Sequence, residues 1–120
     1  MRTLKTQSDH DKMVKTMADK FEREGMQVKA DHIGHRNGQP PSIGGYIPDV
    51  LATAMSKKII LEAETPETIA SEDTRKQMQA FSTVNGAEFH VIVPKGYTAE
   101  MRQKAREWGI NIDQVWHMEV

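Results

Sequence analysis

Apolar and polar residues follow two different periods along this chain. From Met13 to Phe21 the apolar residues recur every three or four positions, so they form one face of a helix. Over residues 26–31 apolar and polar residues alternate, as in a strand with one buried face. The apolar run over residues 59–61 is typical of a central strand covered on both faces. These patterns predict a chain that mixes helices and strands.

Turn and capping residues divide the chain into eight predicted elements. Ser8 and Asp11 match a capping box, and Gly25 suits the left-handed residue that ends a helix. The first four predicted elements are a helix over 8–24 and strands over about 26–33, 46–53 and 58–63. A second helix follows, which begins at Ser71 and is closed by Asn85-Gly86, and then a strand over 88–93. The last two elements are a helix that Thr98 caps and Gly109 ends, and a strand over 110–116.

The predicted order indicates an α/β fold with a mixed central sheet. Short connections allow the first three strands to form an antiparallel meander, whereas strands joined by helices should be parallel through right-handed crossovers. Helices are then expected on both faces of the sheet. The chain has 120 residues, which fits one domain over residues 1–120.

The composition of the chain limits which binding partners and which kinds of metal site are expected. The net charge of −1 is not the basic balance of a protein held on DNA by charge alone, so DNA binding would need a local basic rim. The absence of cysteine excludes disulfides and thiolate metal sites. No apolar run is long enough to span a membrane, and the first residues lack the pattern of a signal peptide. We therefore expect a cytoplasmic protein without a membrane partner.

Three acidic residues carry the candidate chemistry. Asp49 follows Pro48, and Glu62 and Glu64 come thirteen and fifteen residues later. Strand alternation places Glu62 and Glu64 on one face, where two adjacent acids would repel each other and be costly to bury. A divalent cation removes that cost. Oxygen ligands of this kind suit Mg²⁺ or Mn²⁺, and Asp49 reaches the same point if the second and third strands are neighbours.

This spacing resembles the PD-(D/E)XK, or restriction-endonuclease-like, nuclease superfamily. The resemblance covers most of residues 8–94 and rests on Pro48-Asp49, on Glu62, and on the order of helix, three-strand meander, helix and strand. It implies that Asp49 and Glu62 bind metal. Glu64 stands where the family usually has lysine, so the resemblance leaves open whether Glu64 acts as base or metal ligand, or whether another lysine such as Lys58 supplies the positive charge.

Two helices are expected to add residues to this site. Many members of the superfamily have a metal-binding acid on the first helix, for which Glu22 is preferred here over Glu24. Some members carry glutamine on the helix after the acid pair. Gln77 fits that position, because it lies on or beside the apolar stripe of its helix.

The resemblance implies a Mg²⁺- or Mn²⁺-dependent DNA endonuclease. Asp49, Glu62, Glu64 and Gln77 are its predicted catalytic residues, and Glu22 joins the three acids as a metal ligand. Small members often act as homodimers, which predicts a dimer surface on the last helix or over residues 110–120. Two alternatives remain: a catalytically inactive module of the same fold that binds nucleic acid or protein, and an α/β partner-binding protein whose acids are incidental.

Histidines and surface cations are further candidates for binding residues. A zinc pair of His32 and His35 is disfavoured, because no second pair lies near it; Asp31 and His32 are expected instead at the edge of the cleft, where they would touch substrate. Lys57-Lys58 and Arg75-Lys76 are interpreted equally well as phosphate contacts or as solvated surface.

Overall fold

The protein folds as three helices and five strands in the order predicted. A computed structural model describes residues 2–120. The elements are α1 (Leu4–Arg23), β1 (Gln27–Ala30), β2 (Val50–Ala54), β3 (Lys57–Ala63), α2 (Glu72–Ser82), β4 (Glu88–Pro94), α3 (Thr98–Trp108) and β5 (Gln114–Met118). The α/β class is therefore confirmed.

The five strands form one mixed sheet in the order β1-β2-β3-β4-β5. Strands β1, β2 and β3 are antiparallel neighbours, and β4 and β5 add in parallel to β3. Val50 lies opposite Leu61 in the β2–β3 ladder. Asp49 precedes Val50 and Glu62 follows Leu61, so the antiparallel pairing places Asp49 beside Glu62. The antiparallel order of β1, β2 and β3 and the parallel strands after each helical crossover are the strand directions expected from the sequence.

The apolar side chains form two cores, one on each face of the sheet. Helix α1 covers the face that carries Ile59 and Leu61, and Phe21 is among the buried residues of this core. Helices α2 and α3 cover the other face, which carries Ile60. Because side chains alternate along β3, Glu62 shares the face of Ile60 and points to the α2 side.

Helix α1 begins earlier than predicted. Its N-cap is Thr3, whose side chain accepts from the backbone N–H of Thr6, while the Thr6 side chain accepts from Thr3 in return. The predicted cap at Ser8 is wrong, because threonine replaces the usual acidic partner of a capping box and hides the signal. Gly25 does take a left-handed conformation directly after the helix, with φ of 88°.

Two predicted strands are shorter than their sequence patterns. Strand β1 ends at Ala30, after which the chain turns and His32 adopts a φ of 71°. Strand β2 begins at Val50 rather than near Tyr46, because Pro48 has no N–H to donate and Tyr46 instead pairs locally with Ile43. Because β2 begins at Val50, Asp49 lies at the end of the sheet, directly before the first residue of this strand.

The loop before β2 approaches helix α2 closely at Gly44. This residue has φ of 61°, and a Cβ there would lie 2.9 Å from Ala80 Cβ. Gly44→Ala is expected to lower the free energy of unfolding by about 2–4 kcal/mol through left-handed strain and overpacking. Gly45→Ala is the matched control, because its φ of 89° is also left-handed but no atom lies within 4 Å. Urea denaturation that finds equal losses in both variants would contradict the close contact.

Candidate metal centre

A polar cavity of about 390 Å³ opens where β2 begins and β3 ends. Its walls come from α1, β3 and α2, from the loops before β2 and α2, and from the segment before α1. The lining residues are Arg2, Gln7, His10, His32, Ile47, Asp49, Glu62, Glu64, Glu67, Thr68, Ser71, Asp73, Thr74 and Gln77. All four predicted catalytic residues are in this set.

Asp49 is held at the inner wall by both neighbouring elements. Its Oδ2 accepts a hydrogen bond from the backbone N–H of Ala63 at 2.8 Å, and it lies 3.2 Å from Nε2 of His10. The side chain is buried, with 4% of the residue exposed. A buried carboxylate fixed by a strand N–H and an imidazole has one orientation toward the cavity.

Glu62 is buried without a full set of partners. It is 3% exposed, and its Oε1 has no hydrogen-bond partner. Within residues 2–120 this is the only buried side-chain nitrogen or oxygen atom in that condition. An unpaired buried carboxylate oxygen costs free energy, so the arrangement calls for a proton or a cation.

Glu64 follows the last residue of β3. Its side chain accepts hydrogen bonds from two hydroxyl groups, one in the loop before α2 and one in α2. The backbone N–H of Glu64 still donates to the carbonyl of Ile92, which continues the strand. Its Oε1 accepts from Thr68 Oγ1 at 2.7 Å and from Thr74 Oγ1 at 3.2 Å. The guanidinium of Arg2 lies 3.9 Å from the same oxygen.

The three carboxyl groups titrate differently because their surroundings differ. Burial raises the pKa of Glu62 well above its usual value, and the charge of Asp49 raises it further. Burial likewise raises the pKa of Glu64 to about 7, against the lowering effect of the Thr68 hydrogen bond. Burial acts on Asp49 in the same direction, but hydrogen bonds with His10 and Glu62 outweigh it and lower the pKa of Asp49. Without a cation, the cavity thus favours one ionised acid over three.

His10 completes this electrostatic arrangement from helix α1. Burial alone would lower the pKa of His10, but the hydrogen bond and charge of Asp49 raise it. The imidazole is 1% exposed and its Nδ1 lies 2.9 Å from Asp11 Oδ1. His10 was not predicted, although it lies three residues before Met13 on the buried stripe of α1, which could have identified it.

The structure does not bring Glu22 to the cavity. Glu22 is twelve residues after His10 on α1, a distance of about 18 Å along the helix axis. Its carboxylate instead contacts His35 at 2.8 Å and Arg36. The alternative, Glu24, pairs with Lys20 at 2.8 Å. The helix acid predicted as a fourth ligand therefore lies outside the site.

Lys58, one of the alternative sources of positive charge near Glu64, does not line the cavity, whereas Arg2 does. Lys58 is four residues before Glu62, roughly 13 Å away along an extended strand. Arg2 lies beside Glu64 and donates to Thr65 Oγ1 at 3.0 Å and to the carbonyl of Ala63 at 3.3 Å. No short motif marks this residue, because it is 62 positions away from Glu64 in the sequence.

His32 lies at the cavity, as expected for a residue at the rim of a cleft. Its Nε2 is 3.7 Å from Asp49 Oδ1, and its side chain is 44% exposed. His35 contacts Glu22 instead, so the two histidines do not face one point.

Two of the surface cations singled out in the sequence have acidic partners nearby. Arg75 pairs with Glu72 on its own helix, and Lys57 lies 3.8 Å from Glu88.

Among the described helices, none is long and apolar enough to cross a membrane. A scan of protein-family models, a search of curated proteins and a search of solved structures found no match to this chain.

Proposed function

We propose that the protein is a metal-dependent DNA endonuclease of the PD-(D/E)XK kind, which hydrolyses phosphodiester bonds. One observation carries the proposal: Asp49, Glu62 and Glu64 line a single polar cavity, and Glu62 has a buried oxygen without a partner. The order of a helix, an antiparallel three-strand meander, a second helix and a parallel strand supports the same kind of protein. DNA is the proposed substrate, and a homodimer stays a prediction.

The carboxylate oxygens of Asp49, Glu62 and Glu64 are ligands that Mg²⁺ and Mn²⁺ prefer. The three groups do not have donor atoms that all lie within 4.8 Å of one another, so Asp49 and Glu62 would hold the ion and Glu64 would act beside it. A cation there would pair the free oxygen of Glu62 and would offset both the burial and the charge of Asp49 that raise its pKa. When bound, such an ion supplies Lewis-acid stabilisation to the phosphate and to the leaving oxygen.

The protein's own groups would position and deprotonate the attacking water. Glu64 is held by two threonine hydroxyls, and burial raises its pKa to about 7, which suits a group that accepts a proton near neutral pH. Arg2 offers a guanidinium beside Glu64 that would contact a phosphate. The amide of Gln77 lies at the cavity wall and would donate to a phosphate oxygen.

A catalytically inactive module of the same fold is the second candidate. The observation that favours it is Glu64 itself, which stands where active members usually have lysine. Such a protein would bind DNA or a protein partner through this surface without cleaving it. Metal-dependent cleavage distinguishes the two candidates.

The test is a cleavage assay on single-stranded, duplex, flapped and branched DNA. Wild type is expected to cut at least one of these with Mn²⁺ or Mg²⁺ and none with EDTA. A Glu62→Ala variant prepared in parallel should show no cleavage, and Glu22→Gln should retain it, because Glu22 lies outside the cavity. Cleavage that survives in Glu62→Ala would indicate a contaminant or another site, and metal binding without any cleavage would favour the inactive module.

A further inference from the structure

Two histidines and an aspartate converge on the cavity from three separate segments. One donor atom from each of His10, His32 and Asp49 lies within 4.8 Å of the other two. His10 comes from α1, His32 from the turn after β1, and Asp49 from the residue before β2. Among the described residues this is the only group of three or more such side chains with donor atoms this close.

The hydrogen bonds of His10 orient its ring as in many metal-binding histidines. Nδ1 lies 2.9 Å from Asp11 Oδ1, so this nitrogen is the natural N–H donor to the neighbouring carboxylate. A neutral ring of that tautomer would direct the Nε2 lone pair toward Asp49 Oδ2, 3.2 Å away, whereas a protonated ring donates from Nε2 to that oxygen. Two acceptors cannot share that contact unless a proton or a metal ion lies between them. A carboxylate behind an imidazole is also the usual arrangement that fixes a metal-binding ring.

His32 has an uncommon backbone conformation, and its Nε2 lies 3.4 Å from Asp31 Oδ2 and 3.7 Å from Asp49 Oδ1. Its φ of 71° is the only positive value at a non-glycine residue in the described chain. A left-handed backbone at such a residue has a conformational cost and is often retained at functional sites. The ring lies edge-to-face with His10, with centroids 5.1 Å apart.

We propose that His10, His32 and Asp49 form a transition-metal position that prefers Zn²⁺ or Co²⁺ to Mg²⁺. Imidazole nitrogens favour these ions, whereas Mg²⁺ requires oxygen ligands and gives up its water reluctantly. Three protein ligands leave a coordination position open toward the cavity, as in catalytic rather than structural sites. Asp49 belongs both to this set of donors and to the set of oxygen donors that includes Glu62 and Glu64. Its carboxylate is therefore shared by the two proposed metal positions.

The metal preference of the cavity does not depend on whether the protein cleaves DNA, so the two proposals can fail separately. It is tested on the full chain without an affinity tag, stripped of metal and titrated with Co²⁺. Wild type is expected to develop the visible absorption of protein-bound Co²⁺ at one ion per chain. Zn²⁺ should remove that absorption, and a large excess of Mg²⁺ should not.

Variants separate the two donor sets. His10→Asn and His32→Asn should each weaken Co²⁺ binding at least about tenfold, because each removes one of three ligands. His117→Asn is the matched control, since His117 is an exposed histidine on β5 away from the cavity. Glu62→Gln should keep the Co²⁺ spectrum while losing any stabilisation by Mg²⁺.

The outcome is decisive even if a variant folds poorly. His10 is buried, so circular dichroism must first show that His10→Asn retains the fold; the half-exposed His32 provides the second variant. No Co²⁺ spectrum in wild type, or equal Co²⁺ affinity in His32→Asn and wild type, would overturn the proposed position. Loss of cleavage with an intact Co²⁺ spectrum would instead contradict only the nuclease proposal.

Discussion

Glu62→Gln is expected to abolish DNA cleavage and, at the same time, to raise the stability of the metal-free protein. Glutamine keeps the shape of the side chain but removes the negative charge and one oxygen ligand. We expect a loss of roughly 100-fold or more in the cleavage rate, because a metal ion at such a site contributes several kcal/mol to transition-state stabilisation. The variant is compared with wild type under the same metal concentration.

The gain in stability follows from the surroundings of Glu62. Burial and the charge of Asp49 both raise its pKa, which means that the ionised carboxylate destabilises the fold. The amide introduced by Glu62→Gln has no charge to bury. The melting temperature measured in EDTA at neutral pH should therefore be higher than that of wild type.

Asp49→Asn is the matched control and should change stability in the opposite direction. The carboxylate of Asp49 accepts from the N–H of Ala63 and lies beside His10, and its pKa is lowered. Hydrogen bonds to a charged group contribute about 1.5–3 kcal/mol, so the neutral amide should destabilise the protein by a comparable amount. Both variants should lose cleavage. If Glu62→Gln also lowered the melting temperature, the charge of Glu62 would be stabilised by the apo fold, and the main support for a cation site would be lost.

The parts of the site that the sequence predicted depend on short-range regularities. Glu62 and Glu64 are two residues apart on an extended segment, so alternation alone places them on one face. Asp49 required only that the next strand along the chain be the neighbour, which a two-residue connection between β2 and β3 makes almost obligatory. Gln77 could be placed from the phase of its helix, and it lies at the cavity.

The parts that the sequence did not predict depend on distances that local patterns do not encode. The 20-residue length of α1 puts Glu22 far from the strand ends, and a helix start misplaced by four residues gives no warning of this. Arg2 reaches Glu64 only because the segment before α1 passes the end of β3. His10 fits the apolar stripe of α1 and therefore resembles an ordinary buried residue until Asp49 is seen beside it.

The metal-free protein is expected to lose stability as the pH rises from about 5 to 8. The pKa of Glu64 is raised from 4.5 to about 7, so the folded state holds a proton that the unfolded chain has released within this range. At about 1.4 kcal/mol for each pH unit between the two values, Glu64 alone accounts for a loss of about 3 kcal/mol.

Glu62 and His10 act with the same sign over this range. The raised pKa of Glu62 also means a proton bound more tightly by the folded state, and the raised pKa of His10 gives a stabilisation that is lost as that proton leaves. The lowered pKa of Asp49 contributes only at more acidic pH, where stability falls as the pH drops. The slope between about pH 5 and pH 8 should therefore be negative.

Urea denaturation in EDTA at a series of pH values measures this slope, and Glu64→Gln is the variant that removes the contribution of Glu64. The substituted amide keeps an oxygen that can accept from Thr68 and Thr74, so the packing of the α2 side should persist while the proton linkage disappears. We expect a shallower slope in Glu64→Gln and a higher free energy of unfolding than wild type at the alkaline end. Saturating Mn²⁺ should flatten the wild-type slope as well, because an ion that binds only the folded protein stabilises it most where the carboxylates are ionised. A wild-type stability that is constant or rises with pH in EDTA would show that the buried carboxyl groups are ionised at no cost, and a cation would then not be needed to hold them together.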